Sequence, residues 1–328
     1  MAERPKQQIT RQRGPFRILS LSGGGYRGLY SLHILAWLEE QLKRPLHECF
    51  DLIAGTSIGG ILAIGVATGK PTSDLLVAFS KHGPKIFGKD RKPKGKIKKY
   101  GEQARKIMSA RYSQEPLRAA IIDMIGEDAT WNDLKTKLLV PAVCLQSGGP
   151  QFFRSYKIAN DIKKSTLTEL ALATSAAPTY FPTSIVGARS FVDGGLVANA
   201  PDVAAIIDAE KMIGASRDRI HVLAVGTTHP QLGEALVELE NRGIYDWEGG
   251  AKVVDLTLSS QEALTREMAE TLLGSKRYFY IDQAQSTDQQ AEIALDCASP
   301  QATASLNALA ANTIDNLSVP TWLKSISK

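Results

Sequence analysis

Gly55-Thr56-Ser57-Ile58-Gly59 places a serine between two glycines, where the apolar run Phe50 to Ala54 gives way to a helical pattern, Ile58 to Thr68. A serine hydroxyl is too weakly acidic to attack an ester unaided. It needs exposure, a base beside it and donors facing the oxyanion that forms. A sharp strand-to-helix turn supplies the exposure. Such a turn presses the residues two before and two after the serine together, so Gly55 and Gly59 provide the positions without side chains that it needs. The helix beginning at Ser57 also points its positive dipole end at the site of developing negative charge. The five-residue motif recurs by chance in a chain with 27 glycines, so its weight comes from what surrounds it.

Two further constellations supply the missing parts. Ser22-Gly23-Gly24-Gly25-Tyr26-Arg27-Gly28 follows a strand-like run, Phe16 to Leu21, and precedes a helical one, Leu29 to Leu42. Three successive glycines leave backbone N–H groups uncovered, which makes an anion-binding concavity for a phosphate or for the oxygen of a tetrahedral intermediate. Arg27 adds a positive charge that would stabilise an anion there. Gly23, Gly25 and Gly28 also satisfy the dinucleotide fingerprint. That reading fails because the second strand ends in Ala54 and the serine turn, where a ribose-binding acid is required, and no Gly-Lys-Ser/Thr closes the loop as in a P-loop.

The third constellation is Phe191-Val192-Asp193-Gly194-Gly195, a carboxylate with an apolar approach and two residues without side chains after it. An ordinary aspartate, with a pKa of about 3.9, is a poor base at neutral pH, but apolar flanks raise it by desolvation. The same Asp-Gly pair also reads as a turn between strands. None of the histidines at 33, 47, 82, 221 and 229 has a persuasive catalytic setting, and His229 is the one candidate for a triad. A Ser57–Asp193 pair without histidine fits the chain better.

These residues resemble those of the patatin-like phospholipase family. The resemblance rests on Ser22 to Gly28, Gly55 to Gly59, Asp193 to Gly195 and Ala173-Thr-Ser-Ala-Ala-Pro-Thr-Tyr-Phe-Pro182, with weaker echoes at His82 to Phe87, Phe152 to Tyr156 and Leu223 to Gly226. Together they span most of residues 16 to 230 in the family's order. The resemblance implies a three-layer αβα sandwich around a central, largely parallel sheet, and a lipid acyl hydrolase that needs no metal or catalytic cofactor. It also implies Ser57 as nucleophile, Asp193 as base, Gly23, Gly24 and Gly25 as oxyanion donors and Arg27 as the loop arginine. Ser22 departs from the pattern, since many members carry Asp there. The layout further resembles the cyclic-nucleotide-activated phospholipases of bacterial antiphage defence. That implies membrane phospholipid as substrate and a cyclic dinucleotide of the 3',3'-cGAMP type as activator, with Arg27 and residues 81–99 as candidates for its phosphates. A constitutive lipase or esterase, and a non-catalytic lipid- or nucleotide-binding module, are the alternatives.

The remainder of the chain is consistent with one large unit. Its 328 residues, 43% hydrophobic, can bury an ample core, and no linker divides them: residues 1–15 read as a basic tail and 16–328 as a single domain. Strand-like runs at Leu138 to Leu145, Gln151 to Tyr156 and Ile220 to Val225 alternate with helical patterns at Thr166 to Thr174 and Pro201 to Lys211, as a parallel sheet between helical layers requires. After Gly226 the pattern is mostly helical, at Ala251 to Leu273 and Ala302 to Leu317, with a strand at Arg277 to Ile281. Residues 52–69 carry no charge, but their five glycines and the serine turn argue for a buried strand and helix over a membrane span. Single cysteines at 49, 144 and 297 and the lack of an apolar leader favour the cytoplasm, and the resemblance implies action at the inner face of the membrane.

Charge is uneven. Of the formal net of +5, residues 1–17 contribute +4 and residues 81–99 contribute +8, leaving −7 elsewhere. The second stretch reads as a solvated loop, or as a contact for anionic headgroups or a phosphate-bearing ligand. It lacks the interleaved aromatics of a nucleic-acid surface, so no nucleic acid polymer is expected. Patterning leaves open whether the chain forms a homo-oligomer.

Overall fold

The computed structural model describes residues 14–88, 111–228 and 251–324. His229, the run Lys89 to Lys99 and most of the basic tail lie outside the described residues. In chain order the main elements are β1 (Phe16–Leu21), α1 (Gly28–Leu42), β2 (Leu52–Gly55), α2 (Ile58–Ala67), α3 (Thr72–Ile86), α4 (Glu115–Ile125), β3 (Lys137–Cys144), β4 (Gly149–Arg154), α5 (Leu167–Thr174), β5 (Ser184–Val186), β6 (Arg189–Asp193), α6 (Asp202–Asp208), β7 (Ile220–Val225), α7 (Ala251–Leu273), β8 (Tyr278–Ile281) and α8 (Pro300–Asp315).

β1 explains the layering. Its residues are buried on both faces, with Leu19 and Leu21 in one hydrophobic core and Phe16 and Ile18 in another. Alternate side chains of a strand point to opposite faces, so buried apolar residues at both odd and even positions mark a strand covered on both sides. The larger core joins the sheet to α1, α2, α4, α5 and α8, whereas the smaller is closed by α6 and the last turns of α7, through Ala205, Ile206, Ala269 and Leu273. This is the expected three-layer sandwich, with unequal outer layers.

The sheet is mixed. Strands β3, β2, β1, β7 and β8 are neighbours in that order and all parallel, while β4, β5 and β6 join antiparallel at or beyond β3. The short strands β5 and β6 have no counterpart in the strand-like runs read from the sequence. The helical pattern at Pro201 to Lys211 also divides, into α6 and a π-helical turn over Ala209–Ile213. Among the described residues no helix is long and apolar enough to cross a membrane. The uncharged stretch at 52–69 is β2, the serine turn and α2.

Candidate active site

The serine turn is as tight as the glycines imply. Ser57 sits at φ 55° and ψ −125°, a strained backbone for a residue with a side chain. A Cβ on Gly55 would strike the Gly59 carbonyl, and one on Gly59 would strike the carbonyl oxygens of Leu21 and Ser22. The turn therefore packs α2 directly onto the end of β1. Thr174 braces it, since its Oγ1 accepts from the Ser57 N–H at 3.0 Å and donates to the Pro141 carbonyl at 2.6 Å.

Sheet register brings the carboxylate to the serine. β4 runs along one edge of β3, from Leu139 to Cys144, so β2 and β6 must share the other. β2 occupies it up to Leu139, opposite Ala54, and β6 enters from the far end, with its last residue Asp193 opposite Ala142. The carboxyl ends of the two strands thus meet along β3. Ser57 Oγ donates to Asp193 Oδ2 at 2.7 Å, across 136 residues of chain. The Asp-Gly pair is a strand end at the serine.

Asp193 is buried, at 6% exposure. Its pKa is pushed up to about 6, by burial above all, against the Gly195 N–H and the Ser57 hydroxyl, which favour the anion. The Gly195 N–H donates to Oδ1 at 2.7 Å and leaves Oδ2 to the serine. A carboxyl whose folded pKa exceeds its unfolded one binds the extra proton in the folded state, so this group's contribution to stability falls as pH rises from about 4 to 6. Above pH 6 the buried charge costs on the order of 3 kcal/mol. Asp193→Asn is therefore expected to unfold at higher denaturant than the parent at pH 8, with the gain shrinking towards pH 4. An equal difference at both pH values would show that the carboxylate carries no such cost.

The glycine loop departs from the three-donor expectation. The Gly23 N–H is committed to the Asn199 carbonyl at 2.9 Å, and Gly23 does not line the cavity beside Ser57, whereas Gly24 and Gly25 do. Neither the Gly24 nor the Gly25 N–H meets an acceptor among the described residues. Of the three glycines, Gly24 and Gly25 keep an unpaired N–H at the cavity. Arg27 is also differently placed: it is buried at 8% exposure, with Nε donating to the Gly24 carbonyl at 3.4 Å and Nη1 to the Thr228 carbonyl at 3.1 Å. Its charge is felt by Glu262, and it does not line the cavity. Packing against β7's exit makes Arg27 a strut of the loop in place of a free cation at the mouth.

Ser57 and Asp193 open into an apolar cavity that runs between α2, α3 and α4. Ile61, Phe79, Phe87, Leu117, Ile121 and Met124 make its wall, and the half-exposed Leu196 and Val254 stand beside its mouth. None of the described histidines lines it. His33 bonds Asn307, His82 bonds Asp123, and His221 bonds the Arg219 carbonyl against Trp322. Among the described residues no group of three His, Cys, Asp or Glu side chains is placed to hold a metal ion.

An activated hydroxyl, a buried carboxylate, two free N–H donors and an apolar channel are the parts of an acyl-transfer site for a substrate with a long hydrocarbon tail. The family model for patatin-like phospholipases matches residues 19–206, which contain both Ser57 and Asp193. A cGAMP-activated phospholipase of Pseudomonas aeruginosa is 36% identical over 302 residues, 89% of this chain and 85% of that protein. One of Escherichia coli is 34% identical over 89% of this chain and 86% of its own length, and one of Vibrio cholerae 36% over 77% and 76%. The chain belongs to the patatin-like phospholipase family of hydrolases.

Proposed function

We propose that the protein hydrolyses carboxylic ester bonds of membrane phospholipids through an acyl-Ser57 intermediate, and that a cyclic dinucleotide of the 3',3'-cGAMP type switches it on at the inner face of the membrane in antiphage defence. The observation that carries the chemistry is the Ser57–Asp193 hydrogen bond of 2.7 Å at the head of an apolar cavity. Ser57 Oγ attacks the ester carbonyl while its proton passes to Asp193 Oδ2. The Gly24 and Gly25 N–H groups receive the oxyanion. Collapse returns the proton to the departing alcohol oxygen, leaving an acyl ester on Ser57, and water repeats the cycle with Asp193 again accepting the proton. The activator is supported by the names of the relatives, which are cGAMP-activated phospholipases, and the defence role by the resemblance in layout alone.

The cavity wall supports a lipid tail as the acyl group. Ala120, on α4, lines it and is 2% exposed. Ala120→Phe is expected to fill the channel, lowering kcat/KM for long-chain esters by more than about tenfold while changing short-chain esters less than about threefold. Equal losses on both would place the acyl chain elsewhere.

The decisive experiment is dye release from phospholipid vesicles by purified protein, alone and with a panel of cyclic dinucleotides and trinucleotides, with Ser57→Ala as control. Release with one nucleotide, lost in the variant, supports both chemistry and switch. Release without any nucleotide keeps the phospholipase and removes the switch, and release that survives Ser57→Ala removes the dyad.

A further inference from the structure

The Gly24 N–H can serve an oxyanion only if the peptide that carries it is held the right way round. The carbonyl of Gly23 and the N–H of Gly24 belong to one planar trans peptide, so they point in opposite directions and holding one holds the other. Between two glycines no side chain resists rotation of that plane. A flipped peptide would present a carbonyl oxygen to the developing negative charge.

Two buried side chains hold it. Thr227 Oγ1 donates to the Gly23 carbonyl at 3.0 Å and Asn199 Nδ2 at 3.5 Å, while the Asn199 carbonyl takes the Gly23 N–H at 2.9 Å. Thr227 and Asn199 are each 3% exposed. Thr227 also lies against the Gly24 α-carbon, since a Cβ there would come within 2.8 Å of its methyl group. Behind Asn199 stands α7: the Asn199 N–H donates to Gln261 Oε1 at 2.8 Å and its Nδ2 to Glu262 Oε1 at 2.5 Å. The same helix lends Val254 and Leu258 to the cavity, so the clamp and part of the substrate's wall are one element.

We propose that Thr227, backed by Asn199, is a positioning residue that orients the Gly23–Gly24 peptide so that the Gly24 N–H meets the oxyanion. The proposal rests on Ser57 being the nucleophile. A hydroxyl that orients one donor acts on the transition state and leaves ground-state binding alone.

The test uses the full chain with 3',3'-cGAMP present and a soluble short-chain nitrophenyl ester, comparing the parent, Thr227→Val, Thr227→Ser and Ser57→Ala. Thr227→Val is expected to lower kcat about tenfold, less than the roughly 10²- to 10³-fold cost of deleting an oxyanion donor. KM should stay within about twofold and the pH midpoint should not move, and Thr227→Ser should recover kcat to within about threefold of the parent. A Thr227→Val variant with parental kcat overturns the proposal. So does a series in which Val and Ser lose activity together with melting temperature, the mark of a packing role alone. If Thr227→Val does not fold, Thr227→Ala, which adds no bulk beside Gly24, is read by the same criteria. An active Ser57→Ala overturns the dyad reading and this proposal with it, whereas an inactive Ser57→Ala beside a parental Thr227→Val overturns the positioning role alone.

Discussion

Ser57→Ala is expected to lower kcat on any ester substrate by at least about 10⁴-fold, and Asp193→Asn by a comparable factor, with the fold intact in both. In the proposed mechanism the alanine removes the atom that would carry the acyl group. The asparagine keeps the shape and removes the proton acceptor from a hydroxyl 2.7 Å away. Because the two groups act as a unit, the double variant should be scarcely worse than either single one. In the parent, kcat/KM should fall about tenfold per pH unit below the raised pKa of about 6, since Asp193 must be ionised to accept the proton. Labelling by a fluorophosphonate should vanish in Ser57→Ala. Turnover within tenfold of the parent in either purified variant would remove the dyad assignment.

Gly59→Ala is expected to cost about 3 kcal/mol of stability and at least about 10²-fold in kcat, a large effect for one added methyl group. The new Cβ would lie 2.6 Å from the Ser22 carbonyl oxygen and 2.8 Å from the Leu21 carbonyl carbon, and it would press on the Leu21 oxygen as well. These are backbone atoms of β1 and of the glycine loop, so no side chain can turn aside. Either α2 moves off the sheet or β1 gives way, and each displaces Ser57 from Asp193. Gly149→Ala serves as the control, because the nearest atom to its Cβ is Ser147 Oγ at 3.7 Å, and it should change neither quantity by more than about 0.5 kcal/mol. Denaturant unfolding and steady-state rates read both effects, and parental stability in Gly59→Ala would mean that the turn is looser than the packing implies.

Much of the site was legible because its parts are local. Strand, glycines and serine lie within ten residues, and the conformation of such a turn depends on which of its own residues lack a Cβ. The helix after it, read as Ile58 to Thr68, runs Ile58–Ala67. Asp193 was legible as a residue and ambiguous as a role, because Asp-Gly suits a turn as well as a base. What separates the two is the edge of β3, where β2 stops opposite Leu139 and β6 arrives to end opposite Ala142. Pro141 lies between those positions, and its carbonyl, bonded to Thr174, faces that edge. A proline has no N–H to leave unpaired where the two strands part.

Arg27 and Gly23 teach the opposite lesson. Adjacency in the chain suggested a cation and a third donor at the anion site, but Arg27 is drawn to the Thr228 carbonyl, 201 residues on, and the Gly23 N–H to Asn199. Thr227, Asn199 and Glu262 carried no signal at all, since a threonine, an asparagine and a helical glutamate are ordinary residues until the fold sets them against the glycine loop.

By itself the sequence determined the kind of chemistry, the glycine-flanked serine turn, the doubly covered sheet and the family, because each follows from residue type and short-range spacing. Only the tertiary structure decided which glycines present a free N–H, that Arg27 is a strut, that Asp193 lies buried within reach of Ser57, and that Thr227 and Asn199 hold the loop. Those outcomes depend on which backbone and side-chain groups remain unpaired once strands and helices distant in sequence have packed. No window of sequence contains that competition.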